Sequence, residues 1–261
     1  MFRLLILSLW LSAAALRADT STNLPPALSG VAEFNAGYQS WDEKSFARAS
    51  ELFQQATAQA PDNATNFYWL GASEFHRMLL LRSLAGQTTV ADAAQAAALK
   101  ALNQAVKLDP HQAESHALLG TIYGIRISDL WVRAIFLGPR VMSQRDAALA
   151  DGGKNPRVRY LLGTCEFYTA SKPADWEKTL QTFLLAEKLF EAEATEPVAP
   201  LEPRWGRSSC RTFIGLTYEK LGERALAADY FRKALAENTT DSLARAGLAR
   251  VSEIQSKSNQ P

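Results

Sequence analysis

The sequence has little of what catalytic and metal sites are usually built from. Its 261 residues contain two cysteines and three histidines. His111 and His116 are five residues apart, which departs from the i, i+4 spacing that lets one helix present two imidazoles to a metal. No Gly-rich phosphate loop, HExxH, GxSxG or paired CxxC pattern is present. We therefore predict no catalytic residues, no metal and no cofactor, and we interpret His116 as a packed core histidine.

The chain also lacks a strong charge of either sign. Its 28 Lys and Arg residues nearly balance its 27 Asp and Glu residues, which leaves a formal net charge of +1. A balance this close supplies no overall electrostatic attraction to nucleic acid or to a membrane surface. We predict no nucleic-acid partner, and any other partner has to be argued from local patterns.

Long apolar runs are scarce, and the longest begins at the N-terminus. Arg3 precedes a run from Leu4 to Leu16, and small residues follow before a polar stretch. About 20 apolar residues are needed to span a bilayer comfortably, so this run is too short. The pattern predicts a signal peptide at residues 1–18, with a retained anchor helix as the alternative. We expect an exported protein, periplasmic or extracellular, with no stable membrane span after signal removal. No cysteine lies near the cleavage region, which excludes a Cys-anchored lipoprotein.

Behind a polar, Pro-containing lead-in at residues 19–30, which we expect to be mobile, helical patterns recur. The clearest occupies residues 210–238, where Gly222 separates two amphipathic helices. Gly215 and Ala227 fall where these helices would cross, and small residues there let the helix axes approach closely. A pair this small cannot bury its own apolar faces, so it has to pack on neighbours.

The order of large and small residues in this stretch, Ile-Gly, Tyr, Leu-Gly, Ala, Tyr-Phe and Ala, resembles the tetratricopeptide repeat (TPR). Gly71 follows Gly37 by 34 residues, the period of that family, and large apolar residues precede the recurring glycines at Leu70, Leu119, Leu162 and Ile214. The resemblance implies an all-α, TPR-like α-α superhelical solenoid. We predict about five helix pairs plus a C-terminal capping helix over residues 31–256, and a frayed tail at 257–261.

Three of the predicted units are longer than the repeat. The second should have longer helices that meet at a loop near residues 85–89. In the third, Gly138-Pro139 should end one helix and start another. The fourth is followed by the Pro-rich stretch TEPVAPLEPRWGRSS, which cannot continue a helix. This stretch is either an ordered excursion or a flexible lid, and the large ring of Trp205 favours order.

Two cysteines in an exported chain suggest a disulfide. Placed on the repeat, however, Cys165 lies two residues after Gly163, whereas Cys210 lies five residues before Gly215. Because first helices of successive repeats run parallel, this offset corresponds to about 10 Å along the axis. A disulfide needs Cα atoms within about 7 Å, so we predict buried free thiols.

Three stretches resemble a narrower group of exported bacterial TPR proteins of uncharacterised role: FLGPR at 136–140, NPRVRYLLG at 155–163 and LEPRWG at 201–206. Each contains an arginine directly after a proline. If the Pro-rich stretch folds back, Arg140, Arg157 and Arg204 would converge on one anion beside Trp205. The interpretation we favour is a structural clasp, in which the arginines hold inserted loops to backbone carbonyls and helix ends.

In the TPR family, the first helix of each repeat lines a concave face that holds an extended peptide or a helix. By phase, the residues of this chain that would bind a partner there include Tyr68, Phe75, Arg157, Tyr160 and Phe167, which are types enriched at binding hot spots. The Lys and Asn set with which chaperone-binding TPR domains clamp a C-terminal carboxylate is absent at these positions.

The resemblance therefore favours an exported, non-catalytic scaffold that binds a protein or peptide partner on its concave face. The alternative is a small-molecule or anion-binding protein that uses an Arg/Trp site in the inserted segments around 136–160 and 197–207. A third option is an enzyme accessory or a hydrolase without a recognisable motif. The apolar stretch LWVRAIFL at 130–137 has two interpretations. It could form a patch that touches a membrane or a partner, but such a run is more commonly part of the core beneath an insertion. Neither the identity of the partner nor the oligomeric state follows from the sequence.

Overall fold

The computed structural model describes residues 24–129 and 131–258, and all regular structure within these ranges is helical. The predicted signal peptide at 1–18 lies outside the described residues. The helices are α1 (Pro26–Ser40), α2 (Glu43–Gln59), α3 (Ala64–Ser83), α4 (Thr88–Leu108), α5 (Ala113–Asp129), a 3-10 turn (Trp131–Arg133), α6 (Ala134–Gly152), α7 (Pro156–Thr169), α8 (Pro173–Glu193), α9 (Arg207–Leu221), α10 (Arg224–Glu237) and α11 (Ser242–Ser258).

Consecutive helices pack as antiparallel pairs, and the pairs stack in a line. The pairs are α1 with α2, α3 with α4, α5 with α6, α7 with α8, and α9 with α10, and α11 packs on α10. Each first helix also contacts the first helix of the next pair. The largest cluster of buried apolar residues extends from α1 to α7, and two smaller clusters continue it to α11. The predicted solenoid of five pairs with a capping helix is confirmed.

Local sequence explains where several helices begin and end. Before α2, α3 and α7, the side chains of Asp42, Asn63 and Asn155 accept hydrogen bonds from backbone N–H groups of the first turn, at 2.9, 3.2 and 2.9 Å. These bonds satisfy donors that have no partner within the helix. Helix α9 ends before Gly222, whose φ of 82° lies in the left-handed region that glycine adopts at little cost.

The recurring glycines lie where the two helices of a pair cross, as the repeat pattern predicts. A Cβ atom on Gly71 would stand 2.5 Å from Leu102, and one on Gly163 would stand 2.5 Å from the Phe183 ring. The third pair is more open, because the nearest atom to a Cβ on Gly120 would be 3.5 Å away. The glycines therefore set how closely each pair packs.

The N-terminal boundary of the helical array differs from the prediction. Helix α1 begins at Pro26, within the lead-in at 19–30 that we expected to be mobile. Proline suits a first helical turn, because its missing N–H would have no partner there. Gly30 in the second turn is buried, and a Cβ on it would stand 2.8 Å from the Phe53 ring, so close packing holds the start of α1 on α2. At the other end, α11 continues to Ser258, one residue past the predicted start of the frayed tail at 257–261.

The predicted helix break at Gly138-Pro139 is wrong, because α6 continues through Pro139 to Gly152. A proline inside a helix leaves the carbonyl four residues earlier without its N–H partner. That carbonyl belongs to Ile135, and both Ile135 and Pro139 are exposed. Solvent can therefore hydrate the carbonyl, and the proline ring lies away from the packed face of α6. The predicted loop near 85–89 agrees with the break between Ser83 and Thr88.

The two cysteines are free thiols, as predicted. Cys210 is buried and Cys165 is half-buried, and burial raises the pKa of both thiols. None of the helices described at 24–129 and 131–258 is both long and apolar enough to cross a membrane.

Candidate partner-binding groove

The first helices of the five pairs share one face of the solenoid, which we call the groove. Its centre is filled by the chain's own residues 194–206, which we call the Pro-rich segment. This segment connects α8 to α9 and brings Trp205 into contact with α1, α3 and α7 at once. The stretch is thus an ordered excursion, and the groove that the sequence analysis expected to be open is occupied along its middle.

Trp205 anchors the Pro-rich segment. Its side chain is 2% exposed, and its indole N–H donates a hydrogen bond to the Tyr68 hydroxyl at 2.9 Å. Its ring lies 4.9 Å from the ring of His76 and 6.0 and 6.4 Å from those of Tyr38 and Tyr160, measured between centroids. An aromatic ring buried in this way contributes both apolar area and specific edge contacts. The segment is therefore fixed against three repeats by one side chain.

Further hydrogen bonds hold the rest of the Pro-rich segment. The indole N–H of Trp69 donates to the Leu201 carbonyl at 2.9 Å. The Arg204 guanidinium donates to the backbone carbonyls of Glu193 and Pro197 and forms an ion pair with Glu202 at 2.9 Å. Arg204 thus ties the segment to the end of α8, which is the clasp that we favoured from the sequence.

A buried ionic network lies beside this anchor. Arg157 is 3% exposed, and its Nε donates to a Glu114 carboxylate oxygen at 2.6 Å, while its two terminal nitrogens donate to the Glu193 carboxylate. Tyr68 donates its hydroxyl hydrogen to the other oxygen of Glu114, and the side-chain amide of Asn155 donates to the first at 2.8 Å. Two carboxylates with several donors compensate one buried guanidinium, which is what a stable buried charge requires.

The electrostatics of the network follow from its burial. Burial alone would lower the pKa of the Arg157 guanidinium, but the charges of Glu114 and Glu193 outweigh it and raise that pKa. Burial, followed by the negative charge of Glu114, raises the pKa of Tyr68 well above its usual value. Both groups therefore keep their protons at neutral pH, and the network acts as fixed hydrogen-bond donors and acceptors rather than as an acid or base.

The first and last helix pairs also contact each other. The hydroxyl groups of Tyr38 on α1 and Ser209 on α9 are hydrogen-bonded at 2.7 Å. The Thr240 hydroxyl, between α10 and α11, donates to the Gln39 carbonyl at the end of α1. Side chains of the first and last pairs therefore meet, although about 170 to 200 residues separate them in sequence.

The predicted partner-binding residues lie on the groove, but three of them are not accessible. Tyr68, Phe75 and Arg157 are buried, Tyr68 and Arg157 by the contacts just described. Tyr160 and Phe167 are half-buried. Tyr160 packs on Trp205, whereas Phe167 packs on Trp176 and Phe213. Direct binding by Tyr68 and Arg157 would require the Pro-rich segment to leave the groove.

The alternative interpretation, in which Arg140, Arg157 and Arg204 hold one anion, differs from the contacts that these arginines make. Arg157 is committed to two carboxylates, and Arg204 is committed to backbone carbonyls and Glu202. Arg140 is exposed on α6, which is a second helix and does not line the groove. Trp205 uses its one donor on Tyr68. The four residues thus do not form an anion site.

One residue that the sequence analysis did not select stands at an open position of the groove. Tyr168 comes five residues after Gly163, as His76 comes five residues after Gly71, and it is 75% exposed. Its ring contacts those of Phe167 and Phe213 at 5.5 and 6.0 Å. The sequence could have indicated Tyr168 as a groove residue, because Tyr168 has the same position in its repeat as His76. His76 lies on the groove beside Trp205.

Two cavities flank the Pro-rich segment. One, of about 520 Å³, lies between the segment, the end of α8 and the start of α9, and Tyr38, Phe190 and Arg204 contribute to its lining. The other, of about 410 Å³, lies between the segment and the starts of α3, α5 and α7. Histidine, cysteine and carboxylate side chains do not gather in threes at metal-binding distance anywhere in the described ranges.

Comparisons with known proteins agree with this architecture. Residues 209–241 match the tetratricopeptide repeat family. The fold matches a thermophilic TPR protein of Thermus thermophilus with a TM-score of 0.59 and 17% identity, over 87% of this chain and 96% of that one. The chain thus contains one segment that matches a tetratricopeptide repeat, and its described helices share the fold of a TPR solenoid.

Two larger structures contain a similar solenoid. The Cut9–Hcn1 hetero-tetramer of the APC/C matches with a TM-score of 0.57 and 16% identity, over 90% of this chain and 38% of that one. The human IFIT1 dimer with PPP-AAAA matches with a TM-score of 0.57 and 18% identity, over 87% of this chain and 46% of that one. At these identities the likeness concerns the fold alone. No curated protein matches the chain in sequence.

Proposed function

We propose that the chain is an exported, non-catalytic scaffold that binds a protein or peptide partner along the part of the groove that the Pro-rich segment leaves open. The TPR fold supports a role in protein interaction. The observation that carries the proposal is Tyr168, a large aromatic side chain that is 75% exposed at a groove position. Exposed aromatic residues on a rigid element are frequent anchors for partners.

The surroundings of Tyr168 suit an apolar or aromatic side chain of the partner. Phe167 lies half-buried beneath it and packs on Trp176 and Phe213, with ring centroids 5.1 and 5.3 Å away. The Lys220 ammonium lies 5.8 Å from the Trp176 ring centroid. This cluster is held by α7, α8 and α9, so it is preorganised and loses little conformational entropy on binding.

The test is co-purification of the native exported protein with its partner. Tyr168→Ala should remove the partner while the helical circular dichroism signal stays unchanged, because the side chain is exposed. The matched control is Leu226→Ala on α10, which removes another exposed apolar side chain. If the partner stays bound to Tyr168→Ala, or leaves equally with the control variant, the open part of the groove is not the binding site.

Export is tested separately. The apolar run at residues 4–16 supports it, and the proposal expects the native protein to begin near residue 19. N-terminal sequencing of the protein isolated from the cell envelope or the medium measures this directly. A chain recovered from the cytoplasm with Met1 or Phe2 at its start would contradict the proposal.

A further inference from the structure

The 3-10 turn and the first half of α6 expose several large apolar side chains. Ile135 is 68% exposed and Phe136 is 75% exposed, and Val132 and Met142 are exposed as well. Counted around the helix, these residues and Pro139 fall on one side, because they recur at spacings of three, four and seven. Leu137 is buried in the core, and Val141 is half-buried against it. The interpretation of residues 130–137 as core beneath an insertion is therefore wrong for the side chains of Ile135 and Phe136.

Three arginines lie around this surface. Arg140 is exposed on α6, and Arg126 and Arg133 line a cavity of about 540 Å³ together with the exposed Leu84 and the ion-paired Arg82 and Asp92. No ion pair between described side chains includes any of these three arginines. Among the described side chains, Arg126, Arg133 and Arg140 thus have no carboxylate partner. We call Val132, Ile135, Phe136, Met142 and these three arginines the basic apolar face.

The charge of the face identifies what fits it. A second copy of this chain is disfavoured, because a two-fold contact places the same patch on both sides and would oppose arginine to arginine. Apolar side chains that project from one side of a helix and are flanked by arginines suit the boundary between the headgroups and acyl chains of an anionic bilayer. The apolar tips enter the boundary, and the guanidinium groups meet lipid phosphates.

We propose that the basic apolar face docks this protein on the surface of an anionic phospholipid bilayer. The apolar side chains of the face lie on α6 and on the 3-10 turn before it, and Arg126 lies in the last turn of α5. Tyr168, which carries the proposed partner site, lies on α7, so the two proposals do not depend on each other. Each arginine near an anionic surface strengthens attachment by about fivefold. With two large apolar side chains and a few arginines, the attachment is reversible and weakened by salt.

The experiment is vesicle co-sedimentation of the full chain. The vesicles are phosphatidylcholine alone or phosphatidylcholine with about 30% phosphatidylglycerol. All variants keep residues 1–23, so any contribution of the N-terminal apolar run is the same for each. The measurement is repeated on a chain that begins at Asp19, which retains every described helix.

The variants are Ile135→Ser/Phe136→Ser and Arg140→Glu. The first should weaken binding to anionic vesicles by at least about tenfold through lost apolar burial, and the second by about tenfold through charge reversal. The matched controls are Leu226→Ser/Leu243→Ser and Arg224→Glu, which alter exposed residues on α10 and α11 and should bind as the unmodified chain does. Unchanged circular dichroism shows that the folds are intact.

Three results would overturn the proposal. One is that the chain that begins at Asp19 binds neutral and anionic vesicles equally, or binds neither kind of vesicle. Another is equal binding by the face variants and their controls. The third is a chain that does not bind anionic vesicles and instead uses this face for protein contact. That contact would be seen as a dimer in analytical ultracentrifugation that the face variants dissociate, or as a purified protein that binds the face in the absence of lipid.

Discussion

Glycine is needed at the helix crossings because there is no room for a side chain, and not because the backbone has an unusual conformation there. Gly163 has no room for a Cβ, which would stand 2.5 Å from the Phe183 ring. We expect Gly163→Ala to lower the free energy of unfolding by about 1–3 kcal/mol, because the buried ring has to move. The control is Gly124→Ala within α5, where nothing lies within 4 Å of the added atom.

Gly124→Ala should be neutral or stabilising by up to about 1 kcal/mol, since alanine is the better helix former. Urea denaturation of both variants measures the difference. Equal effects at the two positions would show that Gly163 does not set the packing of the fourth pair.

His76 makes the stability depend on pH. Burial lowers its pKa to about 4, and its ring lies 4.9 Å from Trp205. In the unfolded chain His76 is protonated below about pH 6.5, whereas in the folded chain it is protonated only below about pH 4. The folded state is therefore stabilised above the unfolded pKa, and this stability is lost as the pH falls between these values, by about 3 kcal/mol in total.

We expect His76→Gln to show a smaller loss of unfolding free energy between pH 7 and pH 4 than the unmodified chain. Chemical denaturation at a series of pH values measures the two slopes. Glu74, whose pKa is raised by burial, contributes equally to both proteins and cancels in the comparison. Parallel curves would mean that His76 has the same pKa in the folded and unfolded chains.

The Pro-rich segment is the element that decides whether the groove is open. Trp205→Ala should lower the free energy of unfolding by about 3–5 kcal/mol, because it empties a buried site between α1, α3 and α7. Trp205→Phe keeps most of the ring but loses the hydrogen bond to Tyr68. We expect this variant to cost about 1–2 kcal/mol.

Hydrogen exchange locates the effect of these substitutions. In Trp205→Ala, amides of residues 194–206 and of the middle of α3 should exchange faster, while those of α11 should be unchanged. Thermal denaturation gives the order of stability. If Trp205→Ala is as stable as Trp205→Phe, the segment is held by Arg204 and Leu201 rather than by the indole.

Contact between the first and last pairs distinguishes this molecule from an open stack. Repeat arrays are usually stabilised by contacts between neighbours only, but here Tyr38 and Ser209 join the two ends at 2.7 Å. A double-mutant cycle of Tyr38→Phe and Ser209→Ala should give a coupling energy of about 0.5–1.5 kcal/mol.

The matched control for this cycle is Tyr38→Phe with Ser40→Ala. The Ser40 hydroxyl donates to the Ala36 carbonyl and not to Tyr38, so the coupling should be close to zero. Urea denaturation of the single and double variants supplies both values. A coupling near zero for Tyr38 and Ser209 would mean that the ends meet without stabilising one another.

The sequence alone determined the repeat and its helices. The spacing of 34 residues between Gly37 and Gly71, and the large residues Leu70, Leu119, Leu162 and Ile214 before the later glycines, predicted the pairs and the capping helix. This succeeded because helix periodicity and the crossing within a pair involve residues close in sequence. The same repeat spacing sufficed to predict free thiols at Cys165 and Cys210. It gives the position of each cysteine on its helix, and the two positions are too far apart along parallel helices for a disulfide.

Only the tertiary structure decided which groove residues are accessible. The Pro-rich segment buries Tyr68 through Trp205, 137 residues away, and Arg157 finds Glu114 and Glu193, 43 and 36 residues away. It likewise decided that Ile135 and Phe136 face outward. Such contacts depend on how far the whole solenoid curves and on where its ends meet, and no local pattern encodes that curvature, because it accumulates over all five pairs.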